Sequence, residues 1–220
     1  MSESDYYMHQ EKISGIAEAL SNFARKRMLE TFMKVLAPEA ATTIVDIGVT
    51  CDQRSDSNFF EKLYPHPERI TAVGLEDASF LERDFPGLRY VQADALALPF
   101  ADHEFDIGVS WAVIEHIGNR SRQKQFIEEL LRVSRRYFIT TPNRWYPIEF
   151  HTVLPFLHWL PAQSFRSILK MLKMDFYASE DTLNLLDERA LLQMVPPGRK
   201  VRKLHFRLFG LISHLIFCVE

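Results

Sequence analysis

Glycine is scarce in this chain, with 8 among 220 residues, and the scarcity shows where it matters most. The run TTIVDIG (42–48) looks like the first strand and turn of a nucleotide-binding sheet, but Val49, Thr50, Cys51 and Asp52 follow Gly48 where further glycines would be needed. A dinucleotide pyrophosphate requires backbone to approach within hydrogen-bond range at each of those glycines. The loop therefore disfavours a nicotinamide cofactor. Cysteine is scarcer still: Cys51 and Cys218 are far apart and form no CxxC pair, which excludes a disulfide scaffold and fits a reduced compartment. No run approaches ~18 apolar residues, the length of a spanning helix. The start, MSESDYYMHQEK, has neither the basic nor the apolar part of a secretory leader, and a cytoplasmic location is expected. Nor is there an excess of positive charge, with Lys+Arg 26 against Asp+Glu 29, so a dedicated nucleic-acid surface is not expected. No internal repeat or low-complexity tract occurs.

What is present is 47% hydrophobic residues, enough for one substantial core. The stretch ISGIAEALSNFARKRMLETFMKVL (13–36) has apolar residues at helical spacing and stops before Pro38. An alternation of strand and helix follows. Strand-like runs lie at 42–48, 69–76, 88–94, 105–111 and 135–141, and helical ones at 57–64, 78–85 and 120–134. Ser57 or Asn58 is placed to cap the first of these helices. Such alternation implies a doubly wound, mostly parallel sheet of the α/β class. After a helix near 187–195, two β-rich runs joined at Gly210 read as an antiparallel hairpin closing the sheet as its sixth and seventh strands. The expected organisation is a single domain: an N-terminal helical lid (1–37), a cofactor-binding core (40–142), an inserted helical cap (143–180), then the helix and hairpin (181–220). The segment 143–174, long and broken by proline, exceeds a plain connection.

Open parallel sheets bind ligands beyond the C-terminal ends of their strands. Here the first strand ends with Asp46 and Gly48, the second with Glu76 and Asp77, the third with Asp94 and Ala95, and the fourth with Ser110 and Trp111. Acids at successive strand ends repel phosphates. They suit a cationic nucleoside whose hydroxyls and amines a carboxylate can accept, which is the profile of S-adenosyl-L-methionine.

At this point the motifs IVDIGVT, AVGLEDASF, VQADALALPF, FDIGVSWAVIEHIGN and FITTPNRW, in this order, resemble class I S-adenosylmethionine-dependent methyltransferases of the type-11 group, over about residues 40–142. The DIGVT variant, with TPNRWYPIEFHT and LPFLHWLP, is also similar to methyltransferases associated with bacterial surface-polysaccharide biosynthesis. The resemblance implies a Rossmann-like methyltransferase fold. It gives Glu76 the two ribose hydroxyls, Asp94 the adenine amine and the Ala95 N–H a ring nitrogen. Leu75, Asp77 and Leu96 would flank the adenine. Gly48 would let backbone near the methionine portion, Asp46 would steady that turn, and Ser110 and Trp111 would line the methyl-donor pocket. The family usually carries GxGxG, and Thr50 or backbone amides would have to serve the tail here.

Methyl transfer from a sulfonium needs alignment and exclusion of water. A hydroxyl acceptor must also lose a proton, for which histidine is the usual agent. His151 in the cap is the favoured base, with Glu149 to orient it. His116, in IEHIG, is read either as a second candidate or as a residue that packs or caps a helix. His158 reads as packing. His151 and His158 have no third ligand nearby in sequence, so no metal is expected. Cys51 is read as a spectator, and Asp102, Glu104 and Asp106 as a solvated turn. The apolar residues of the cap read as a lid packed on the domain, or as an interfacial helix that meets a membrane or a lipid-linked glycan. The expected activity is O-methylation of a sugar or polysaccharide precursor, a small-molecule or glycan acceptor. The alternatives are a non-catalytic S-adenosylmethionine-binding protein, a methyltransferase for a lipid or quinone, and an NAD-dependent oxidoreductase.

Overall fold

The computed structural model describes residues 15–54 and 57–219. Tyr6 and Tyr7, considered as contacts of an N-terminal lid, lie outside the described residues. A seven-stranded sheet has the order β3-β2-β1-β4-β5-β7-β6, with β1 at Ile44–Ile47, β2 at Ile70–Gly74, β3 at Arg89–Gln92, β4 at Phe105–Trp111, β5 at Ser134–Pro142, β6 at Val201–Leu208 and β7 at Leu211–Val219. β1 to β5 pair in parallel, and β7 runs antiparallel to both β5 and β6. The doubly wound sheet with its C-terminal hairpin is the architecture expected. The chain winds outward from β1 through β2 to β3, then returns to place β4 on the other side of β1. That reversal opens a crevice beyond the strand ends, where such sheets bind ligands.

Helices cover both faces. α1 (Gly15–Leu36), α2 (Phe59–Leu63) and α3 (Phe80–Asp84) precede the middle of the sheet, α4 (Arg120–Val133) links β4 to β5, and α5 (Ala162–Met171) and α6 (Glu188–Met194) follow. Side chains alternate across a strand, so β1 feeds two cores. Val45 and Ile47 join Phe126, Ile127 and Leu130 of α4. Ile44 joins Phe32 of α1 and Phe60 of α2, and Asp46 shares that side. α4 starts where the Asn119 side chain accepts from the Arg122 N–H at 3.0 Å, which satisfies one of the orphan donors of a helix start. Asn58 does not cap α2. It has left-handed backbone, and its amide instead accepts from the Thr50 N–H and donates to the Thr50 carbonyl, both at 2.9 Å. Asp106, expected in a solvated turn, accepts from the N–H and hydroxyl of Thr43 at 3.0 and 2.9 Å. It thereby ties the start of β1 to β4.

Residues 143–186 form a cap with its own small core of Phe165, Leu169, Tyr177, Leu183 and Leu185. The cap docks by polar contacts. The Asn184 N–H donates to the Glu115 carbonyl at 2.7 Å, and the Gln123 amide donates to the Asn184 carbonyl at 2.9 Å. Among the described residues, no helix is long and apolar enough to cross a membrane.

Candidate active site

A cleft of about 1300 Å³ lies beyond the C-terminal ends of β1, β2 and β4. Its lining includes Asp46, Gly48 and Thr50 after β1, Glu76 after β2, Asp94 and Ala95 after β3, and Trp111 at the end of β4. α1, the cap and the β6–β7 hairpin contribute further lining, including Met28, Phe150 and Phe209. Glu76 and Asp94 thus share one cleft, as the reading of the strand ends required.

The turn after β1 is built around Gly48. Its φ is +108°, and a Cβ there would lie 2.3 Å from a Val113 methyl. Only glycine satisfies both the backbone and the space. The amides of Gly48 and Val49 both donate to the Val73 carbonyl, at 2.8 and 3.1 Å, which folds the turn back onto β2. Beyond it, the Asp52 carboxylate accepts from Arg54 Nε at 2.7 Å and from the Ser57 hydroxyl at 2.9 Å. Side-chain bonds therefore order the loop that lacks glycines.

Glu76 is held through its backbone and touched at its carboxylate. The Tyr90 hydroxyl donates to its carbonyl, and the Cys51 thiol donates to its Oε2 at 3.2 Å. Cys51 is therefore a neighbour of the candidate ribose-binding acid rather than a spectator. One Asp94 oxygen accepts from the Leu96 N–H at 2.9 Å, which orients the carboxyl on an exposed turn.

Asp46 has a buried acidic companion that the sequence did not flag. Glu61 of α2 is 2% exposed and lines the same cleft, with its carboxyl beside that of Asp46. Burial, and then repulsion from Glu61, raises Asp46 well above its ordinary value of 3.8. Burial likewise raises Glu61. Two carboxyls in one dry site cannot both ionise at low cost.

Deeper under the cap, four side chains from two segments meet. His151 Nδ1 lies 2.6 Å from Glu149 Oε1. Glu149 also accepts from the backbone N–H groups of His151 and Thr152. Burial alone would raise Glu149, but the His151 charge and these donors outweigh it and hold the carboxyl at about 2. His151 is raised in turn: burial opposes its charge, and Glu149 overcomes burial. His116 Nδ1 lies 2.7 Å from the Thr182 carbonyl, and its Nε2 lies 3.1 Å from His151 Nε2. Burial, followed by the His151 charge, pushes His116 down to about 3. Glu115 is fully buried; Oε2 accepts from the Thr141 hydroxyl at 2.9 Å while Oε1 has no partner among the described residues. Burial pushes Glu115 up to about 7.

Residues 57–137 match the family model described as Methyltransferase domain. That match spans well under half of the chain, and it covers the segment carrying Glu61, Glu76, Asp94 and His116. The fold resembles that of the N-methyltransferase NodS from Bradyrhizobium japonicum, solved with S-adenosyl-l-homocysteine. The TM-score is 0.55 and the identity 12%, over 89% of this chain and 85% of that one. A SAM-dependent methyltransferase from Methanosarcina mazei aligns with TM-score 0.50 and 15% identity, over 83% of this chain and 92% of that one. A cyclase, SpnF, aligns with TM-score 0.57 and 11% identity, over 88% and 79%. No curated protein matches the chain. The domain match and the shared fold support an S-adenosylmethionine-dependent methyltransferase and indicate S-adenosylmethionine as its cofactor.

Within this methyltransferase fold, the cleft gathers Asp46, Gly48, Thr50, Glu76, Asp94, Ala95, Trp111, His116 and His151, and leaves out two residues expected there. Asp77 is exposed outside the lining, where its carboxylate accepts from the Ser79 N–H at 2.9 Å at the start of α3. Ser110 is wholly buried and faces the α4 side of the sheet, because its neighbours Val109 and Trp111 point to the α1 side. Trp111 packs edge-on against Phe59 at 5.1 Å and leans on Phe138 at 5.2 Å, so it lines the cleft as part of an aromatic wall. His158 is a packed residue, and its Nε2 donates to the Tyr146 carbonyl at 2.8 Å.

Proposed function

We propose that the protein transfers a methyl group from S-adenosylmethionine to a hydroxyl of a sugar or polysaccharide precursor. The reading rests on one observation: a single cleft holds the strand-end carboxylates, the Gly48 turn and the His116–His151 pair. The donor chemistry of the cleft fits the cofactor. Glu76 would receive the ribose hydroxyls, Asp94 and Ala95 the adenine edge, and the buried acids Asp46 and Glu61 the cationic methionine tail. Glu61 lies buried beside Asp46 in the same cleft, where a cationic group would draw the pair toward ionisation. When bound, the cofactor supplies an electrophilic methyl group. The chain's part is to align the acceptor, exclude water and handle its proton. Aromatic and aliphatic lining from α1 and the cap dries the site. Glu149 holds His151 in one orientation, and the imidazole pair is the acid–base group nearest the acceptor.

A polar acceptor is favoured by the site chemistry, because four ionisable side chains converge under the cap. A lipid carrier on that acceptor is favoured by the cap's surface away from the cleft lining, where Trp145 and Phe156 are more than half exposed and Trp159 is 40% exposed. The decisive experiment is calorimetry with S-adenosylhomocysteine, followed by turnover on a panel of sugar and lipid-linked sugar hydroxyls. Micromolar binding with methyl transfer to oxygen is expected. No heat at high micromolar ligand overturns the reading, and binding without turnover on any hydroxyl favours a non-catalytic binding protein.

A further inference from the structure

Both histidines under the cap are fixed through Nδ1. The Thr182 carbonyl can only accept, so His116 Nδ1 carries a hydrogen. Both Glu149 oxygens already accept backbone N–H groups, so His151 Nδ1 carries one as well. Neutral rings of that tautomer each turn a lone pair outward on Nε2. Those two Nε2 atoms are 3.1 Å apart. Two lone pairs at that distance repel unless a cation lies between them, and the cation is either a proton or a metal ion. We propose that Glu115, His116 and His151 form a site for a divalent transition ion of the zinc type, bound by His116 Nε2, His151 Nε2 and Glu115 Oε1.

Two features support an ion at this position. The ligand atoms of the three residues all lie within 4.8 Å of one another. Two nitrogens, each ~2.1 Å from one ion, are separated by about 3.0–3.4 Å at ordinary ligand angles, which brackets the spacing seen. Glu115 Oε1 is buried and unpartnered among the described residues, a costly arrangement for a carboxyl that binds nothing. Second, the outer contacts are those that metal-bound histidines require: each ring donates its remote N–H, one to a carboxylate and one to a backbone carbonyl.

Two imidazoles and a carboxylate leave at least one coordination position open, as catalytic sites do. Both histidines line the cleft, so an acceptor hydroxyl can reach that position. There the ion would act as a Lewis acid, lowering the pKa of the hydroxyl so that its proton passes to solvent at the cleft mouth before methyl transfer. This role deepens the reading above and rests on it; binding of the ion does not. With the ion in place, the imidazole lone pairs hold metal rather than abstract the proton.

The full-length chain, stripped with chelator, should bind one Co²⁺ with a visible ligand-field band, and Zn²⁺ should displace it. His116→Ala and His151→Ala should each weaken Co²⁺ binding by at least ~100-fold, and the isosteric Glu115→Gln by ~10-fold or more. Glu149→Gln, which alters only the outer contact, should cost ~10–100-fold. S-adenosylhomocysteine affinity, measured on every variant, reports that the chain is folded and should stay within about 2-fold. Absence of the band, or a band unchanged in the folded His151 variant, overturns the site. Cofactor binding without Co²⁺ binding removes the ion and leaves the methyltransferase reading standing; Co²⁺ binding without cofactor binding supports the ion and removes that reading.

Discussion

The two halves of the cleft use acidic residues in opposite ways. On the sheet side, Glu76 and Asp94 sit on turns at strand ends, partly or largely open to solvent, and face the cleft. On the cap side, Glu115 and Glu149 are buried to 0% and 2% exposure, and Glu149 is committed to the histidine and backbone donors around it. The first arrangement receives a ligand's hydrogen bonds and costs little when empty. The second stores its charge in fixed partners and holds imidazoles in place. Asp46 and Glu61 stand between the two, at the sheet side yet buried. The difference teaches that an acid's burial and partners, more than its presence in a cleft, decide whether it binds or positions.

If this division holds, the largest effect should come from the cap side and should spare binding. His151→Ala is expected to lower kcat by ~10²–10⁴-fold with S-adenosylhomocysteine affinity changed less than about 2-fold. A matching loss of affinity, measured by calorimetry, would erase the distinction between the halves. Next comes Gly48→Ala, which must strain a +108° backbone and displace Val113. A stability loss of about 2–4 kcal/mol and undetectable cofactor binding are expected, read by denaturant unfolding and calorimetry. Glu76→Gln keeps the shape but weakens the acceptor for two hydroxyls, and should cost ~10-fold in affinity with little change in unfolding. The Asp46–Glu61 pair should give the smallest effect, as a pH dependence. Both folded values are raised above the ordinary 3.8 and 4.5, so the fold favours the protonated acids. Their contribution is complete below about pH 4 and is lost as pH rises through the folded values. Glu61→Gln should therefore raise the unfolding midpoint of the ligand-free protein near neutral pH and flatten its pH dependence, while weakening cofactor binding. A midpoint lowered at every pH would show that Glu61 stabilises the empty protein.

Much of the sheet could be read in the sequence because the residues of its buried strands are continuous apolar runs, as IVDI and ITAVG show. Glu76, Asp94 and Gly48 could be found because strand ends are where open sheets bind. Neighbouring positions could not be separated by the same logic. Asp77 adjoins Glu76, but a turn carries it to the start of α3; Ser110 adjoins Trp111, but the alternation of a strand sends it to the other face. Glu61 left no trace, since an acid in a short helix is ordinary until β1 is packed against it. Glu115 stood in plain view beside His116 in IEHIG. The meeting of that pair with His151 depends on a His116–His151 contact 35 residues apart along the chain, and no periodicity reports a contact of that kind.

The cap does more than cover. His151 and Thr182 both belong to it, while Glu115 and His116 belong to the loop after β4, and Asn184 fastens the one to the other. Lifting the cap to admit or release an acceptor therefore pulls the imidazoles apart. The imidazole pair thus exists only while the cap is seated, and a molecule with its cap lifted would lack it.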